Sequence, residues 1–115
     1  MKQIIEITNE AHQKHTLLLE DKTRVEMTLD FLPTQRQWFM SVSYGDFELK
    51  NKAVVNGPNI LRRFKNIIPF GIAILSDAPI APSFIDSFSD GTSRLYLLEK
   101  ADVEYIEAEL YKGVL

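Results

Sequence analysis

The stretch Gln37-Trp38-Phe39-Met40-Ser41-Val42-Ser43-Tyr44-Gly45-Asp46-Phe47-Glu48-Leu49-Lys50 reads as a β-hairpin. Successive side chains of a strand point to opposite faces, so Trp38, Met40 and Val42 share one side while Phe39, Ser41 and Ser43 share the other. Gly45 supplies the positive φ that a tight turn needs, after which Phe47 and Leu49 alternate with Glu48 and Lys50. Downstream, Asn56-Gly57-Pro58-Asn59 joins a permissive glycine to a proline with no N–H for a ladder, so the chain must turn there. The segment that follows, Ile60 to Lys65, fits one helical turn or a strand equally well.

Toward the N-terminus, Val25, Met27 and Leu29 alternate with Arg24, Glu26 and Thr28, the clearest one-sided strand in the chain. Leu17 and Leu19 face one way and Leu18 the other, which predicts a strand covered on both sides or paired at a subunit contact. Gln3 to Thr8 reads as a short first strand. The runs at Leu17 to Leu19, Val25 to Leu29, Trp38 to Val42 and Phe47 to Leu49 would form an antiparallel meander. Its expected core is Trp38, Met40, Val42, Val25, Met27 and Leu29. Toward the C-terminus, Ala53 to Val55, Ile72 to Leu75 and Leu95 to Glu99 read as further short strands, and Ile67 to Gly71 as a turn. Asp102 is a candidate N-cap for a helix presenting Val103, Ile106 and Leu110 on one face. An extended strand is the alternative there, but Glu104, Ala108, Glu109 and Leu110 are helix formers. The fold class expected is mainly β, a small antiparallel β-barrel or sandwich with a short C-terminal helix.

At 115 residues the chain is expected to be a single domain, 1–115. Its 45% hydrophobic and 25% charged content suits a packed globular core rather than disorder. A formal net charge of -3 argues against a general affinity for nucleic acid or anionic membrane, since both require a surplus of Lys and Arg. The absence of cysteine excludes disulfides, thiol catalysis and thiolate metal sites, and suits the cytoplasm. The N-terminal alternation is interrupted by Glu6 and makes no secretion signal. No window reaches the roughly 18 apolar residues of a spanning helix.

Chemistry-bearing residues are sparse. His12 and His15 are the only histidines, and a metal centre would need a fuller ligand shell. Asp86 and Asp90 lack the dense ligand series of a calcium loop and fit turn-capping roles. Ser41, Ser43, Ser87 and Ser89 have no nucleophile elbow around them. No catalytic residue, cofactor or metal is therefore expected, and the chain reads as a non-enzyme. Two features point to contacts instead. Arg62, Arg63 and Lys65 form a basic cluster around Phe64, suited to a protein-partner or subunit contact more than to nucleic acid, with a plain solvated turn as the alternative. Phe84, Ile85 and Phe88 lie in the long Ser76 to Thr92 loop, where they either fold onto the core or form an exposed patch awaiting a partner.

In order and spacing these features resemble the small cyanophage-type phage baseplate plug proteins. The resemblance is carried by the strands His15 to Leu19 and Val25 to Leu29, the tryptophan strand, and Ala53-Val54-Val55-Asn56-Gly57-Pro58-Asn59-Ile60-Leu61-Arg62-Arg63-Phe64. It continues through the turn at Gly71 and the Asp-rich loop before Leu95-Tyr96-Leu97-Leu98-Glu99. It spans about Ile4 to Glu99; the acidic C-terminus lies outside it, and Phe70 and Ile72 around the glycine depart from it. What it implies is a β-rich structural component of the virion tail baseplate, made in the host cytoplasm. Such a subunit would associate with hub proteins or copies of itself and help to close the tail tube until contraction. The alternative is a small β-barrel binding module without catalysis, using Trp38, Phe39 and Tyr44 as an aromatic platform for a ligand.

Overall fold

The alternation around Trp38 is realised as strand β4 (Gln37–Tyr44) in the computed structural model of the chain, which describes residues 1–111. With β2 (His12–Leu18), β3 (Arg24–Leu32) and β5 (Phe47–Ala53) it forms a four-stranded antiparallel sheet in the order β2-β3-β4-β5, an uninterrupted meander. Gly45 takes φ 56° in the two-residue β4–β5 turn. Between Met40 and Val42 the β4–β5 register slips, and Asn51, at φ 56°, is the extra residue of a bulge, its N–H donating to Ser41 Oγ at 3.2 Å. The second sheet has the order β1-β7-β6, with β1 (Lys2–Gln3), β6 (Gly71–Ser76) and β7 (Ser93–Leu98), again antiparallel.

Val25, Met27 and Leu29 of β3 and Trp38, Met40 and Val42 of β4 are buried in one cluster with Ile72 and Ile74 of β6 and Leu95 and Leu97 of β7. Two sheets closing on one apolar layer make a sandwich rather than a closed barrel. The exposed edge of β6 is covered by the chain after the Asn56-Gly57 turn. Gly57 and Ile74 exchange N–H···O bonds of 3.0 Å, and Ile60 N–H donates to Ile72 O at 2.8 Å. Asn59 locks this crossing, its Oδ1 accepting from Leu61 N at 3.0 Å and Ile72 N at 3.3 Å. Its amide lies where a side chain on residue 71 would be, since a Cβ at Gly71 would stand 2.5 Å from Asn59 Oδ1.

Several elements differ from the sequence expectation. The first strand ends at Gln3, one further bond running from Ile4 N to Leu95 O at 2.9 Å. Beyond that bond Ile7 is buried off the ladder, and Gln13 takes up backbone groups of the turn that follows: its Oε1 accepts from Thr8 N and its Nε2 donates to the carbonyls of Thr8 and Glu10, each at 2.9 Å. The leucine strand is covered on one face: Leu17 and Leu19 are buried and Leu18 is exposed. Ile60 to Lys65 resolves into a single 3-10 turn, Arg62–Phe64. The C-terminal helix α1 (Lys100–Leu110) starts earlier than expected, with Glu99 as N-cap. Asp102 is instead the third helical residue, returning a bond to Glu99 N at 3.0 Å to close a capping box. Val103 packs with Ala73 and Leu98 and against Ile106, whereas Leu110 is exposed, because the helix runs past the small sheet it rests on.

Candidate functional site

The loop joining β6 to β7 is ordered by hydrogen bonds to its backbone, which leaves its apolar side chains free to face outward. Trp38 Nε1–H donates to Phe84 O at 2.9 Å, and Asn56 Nδ2 donates to Ile80 O at 2.8 Å. The buried Ser87 accepts from Phe84 N through Oγ at 3.0 Å, while its carbonyl accepts from Ser93 N at 2.9 Å. With the backbone held at these points, Ile80, Phe84 and Ile85 remain 60%, 59% and 38% exposed. Single exposed apolar residues are ordinary; here Phe84 and Ile85 are consecutive in one fixed loop, with Ile80 four residues before Phe84. Phe88 behaves differently. It is only 8% exposed, and its ring meets the edge of Trp38 at 5.7 Å between centroids, so it is a core residue and not part of an exposed surface.

The basic cluster is also divided. Arg62 grips Glu107 with two bonds, Nε to Oε2 at 2.7 Å and Nη2 to Oε1 at 3.0 Å, and Lys65 Nζ reaches Oε1 at 2.7 Å. The guanidinium of Arg62 further lies 3.8 Å from the centre of the Tyr111 ring. These two cations, expected at a contact with a protein partner, thus meet an acid of α1 in the same chain. The sequence does not single out Glu107, and its separation of 45 residues from Arg62 leaves no local signal of the pair. Hydrogen bonds from Arg62 and then Lys65 hold its carboxyl below the usual range. Arg63 remains on the surface, near the Phe64 ring, without a carboxylate partner among the described residues.

Between the 65–69 connection and α1 opens a groove of about 910 Å³, with apolar walls from Ile67, Ile68, Pro69, Val103, Ala108 and Tyr111. The remaining polar candidates have local roles. His12 and His15 lie on opposite faces of β2: His12 pairs with Asp30, and His15 Nε2 meets Gln13 Oε1 at 2.8 Å. Gln13 Nε2 is occupied as a donor, so Oε1 is the acceptor and His15 carries its proton on Nε2. Burial lowers the His15 pKa, against an upward pull from Glu6. Asp90 caps its turn, accepting from Thr92 N at 2.9 Å and Thr92 Oγ1 at 2.8 Å. Of the aromatic platform, Trp38 is fully buried and Tyr44 stacks edge-on to Phe70 at 5.3 Å, so these rings offer no open face together.

Residues 1–100 match the family described as cyanophage baseplate Pam3 plug gp18. The chain belongs to this family. The match takes in both sheets, the edge-covering crossing and the outward-facing loop, and stops where α1 begins. No curated protein matches the chain. The family is one of baseplate components.

Proposed function

We propose that this protein is a non-catalytic structural subunit of a phage tail baseplate, where it plugs or lines the end of the tail tube through contacts with hub proteins. The observation that carries the reading is the Ile80, Phe84 and Ile85 patch, presented by a loop whose backbone is pinned to the core, in a chain of the baseplate plug family. A fixed apolar protrusion loses little conformational freedom on docking, so most of its apolar burial is available to the contact. The ligand-platform reading is disfavoured because Trp38 is closed off, and a nucleic-acid surface because Arg62 and Lys65 are engaged by Glu107. The test is to replace Ile80 and Phe84 together by serine and to measure folding and incorporation into tails. Native-like folding with loss of incorporation is the expected result; normal incorporation would refute the role of the patch.

A further inference from the structure

We propose that Asn56-Gly57 is a latent deamidation site, shielded by the native fold, whose conversion to aspartate releases the part of the β6–β7 loop that carries Ile80. Of the five asparagines, Asn56 alone is followed by glycine; Asn9, Asn51, Asn59 and Asn66 precede Glu10, Lys52, Ile60 and Ile67. Deamidation starts when the backbone N of the next residue attacks the asparagine Cγ, and a side chain on that residue hinders an approach that glycine leaves open. In this step the bond between Gly57 N and Asn56 Cγ forms and the Cγ–Nδ2 bond breaks. The proton from Gly57 N leaves with Nδ2 as ammonia. Water then opens the resulting succinimide at one of its two carbonyls, giving aspartate or isoaspartate.

Folding opposes the first step at both reacting groups. Gly57 N–H donates to Ile74 O and Gly57 O accepts from Ile74 N, each at 3.0 Å, so the attacking nitrogen is held in the bridge that covers β6. The Asn56 amide is held by two bonds of 2.8 Å, Nδ2 donating to Ile80 O and Oδ1 accepting from Ser76 Oγ. The hydroxyl proton of Ser76 is thereby used, so Ser93 Oγ donates to Ser76 Oγ at 2.8 Å. Attack therefore waits for a local opening of this crossing. Either product then alters what the asparagine holds. An aspartate still accepts from Ser76, but it sets an acceptor against the Ile80 carbonyl in place of a donor. Ile80 loses its tie, while Phe84 keeps the bond from Trp38 Nε1–H. Isoaspartate adds a carbon to the backbone directly before Gly57, which shifts the Gly57–Ile74 bridge out of register and bares the β6 edge.

The tryptic peptide Ala53 to Arg62 holds Asn56 and Asn59, and fragmentation tells the two apart. The purified full chain is incubated in one mildly alkaline buffer, folded and in concentrated urea, and the exchange of NH2 for OH is followed by mass. Asn56 is expected to convert in urea and at least tenfold more slowly in the folded chain, the ratio reporting the local opening. Equal rates at Asn56, no conversion in urea, or conversion of Asn59 as fast as Asn56 in urea would overturn the shielded site. Asp90-Gly91 isomerises by the same route without a change of mass, so it does not enter the count. The release is read with a spin label, since the chain has no native cysteine. With the label on Ala78→Cys, Asn56→Asp should sharpen the spectrum; with the label on Ser89→Cys it should leave the spectrum unchanged. Asn56→Ala, which removes the donor without adding charge, should free the same segment and serves as the test if the aspartate variant does not fold. An Ala78→Cys label whose spectrum stays the same in a folded Asn56 variant would refute the release. Neither experiment involves tails or a partner, so the site can fail while the baseplate role stands.

Discussion

Truncating Trp38 to alanine should destabilise the fold by roughly 3 to 5 kcal/mol, the usual cost of deleting a buried large aromatic. The structure puts the expectation toward the upper end of that range. The ring is fully buried, it meets Phe31 at 5.3 Å and Phe88 at 5.7 Å between centroids, and aromatic pairs of this kind are worth about 0.5 to 1.5 kcal/mol each beyond area burial. Its indole N–H is also the donor to Phe84 O, so removal leaves a loop carbonyl without its partner. Trp38→Phe separates the two contributions: it keeps most of the apolar contact, loses the donor, and should cost about 1 to 3 kcal/mol. Urea denaturation followed by far-ultraviolet circular dichroism measures both, since the fluorophore itself is removed. A change in Trp38→Ala of less than about 1 kcal/mol would refute the reasoning, because only a surface tryptophan behaves so.

Gly71→Ala should destabilise by roughly 1 to 3 kcal/mol, as the new Cβ would meet the Asn59 amide at 2.5 Å, and urea midpoints will show it. Phe84→Ser should leave stability within about 0.5 kcal/mol whereas Phe88→Ala should cost roughly 3 kcal/mol, a contrast that thermal melts resolve. Because His15 has a folded pKa below its ordinary 6.5, the unfolded chain takes up its proton first as pH falls. Stability contributed by neutral His15 is thus complete above that value and declines below it, a step that should vanish from the pH titration of His15→Gln. Glu107→Gln should cost at most about 1 kcal/mol, with the loss shrinking in high salt, because the Arg62 and Lys65 pairs remain in reach of water.

The large sheet was legible because its strands obey a period of two with little interruption: Val25, Met27 and Leu29, and Trp38, Met40 and Val42, alternate with polar or partly exposed neighbours and end inside. Where one face of a strand is buried, alternation alone sets its register. The small sheet was harder to read. Gly71 to Ile74 is buried at every position because α1 covers the face turned away from the sandwich core, so periodicity carries no signal there. Ile60 to Lys65 could not be assigned because its state is set by Asn59 bonding to Ile72, thirteen residues away. The loop shows the same limit: Phe84 and Phe88 are the same residue type, four apart, yet one lies outside and one beneath Trp38. Only the tertiary bond from Trp38 to the Phe84 carbonyl distinguishes them.

The helix is fastened to the sandwich at few points. The family match ends at residue 100, and α1 buries Val103 against Ala73 and Leu98 on the face of the small sheet that the sandwich core does not use. An eleven-residue helix with that one buried side chain is short and weakly amphipathic, and isolated helices of this length are marginal in water. Its position depends on its fastenings, the Glu99 and Asp102 capping box at one end and the Arg62, Lys65 and Glu107 cluster near the other. Arg62 and Lys65 lie within the residues matched to the family while Glu107 lies beyond them, so the ion pairs join the matched region to α1. One side of α1 then covers sheet that would otherwise be bare, while the other lines a groove that the sandwich alone does not possess. The same ion pairs that hold the helix also neutralise an acid at the groove's edge.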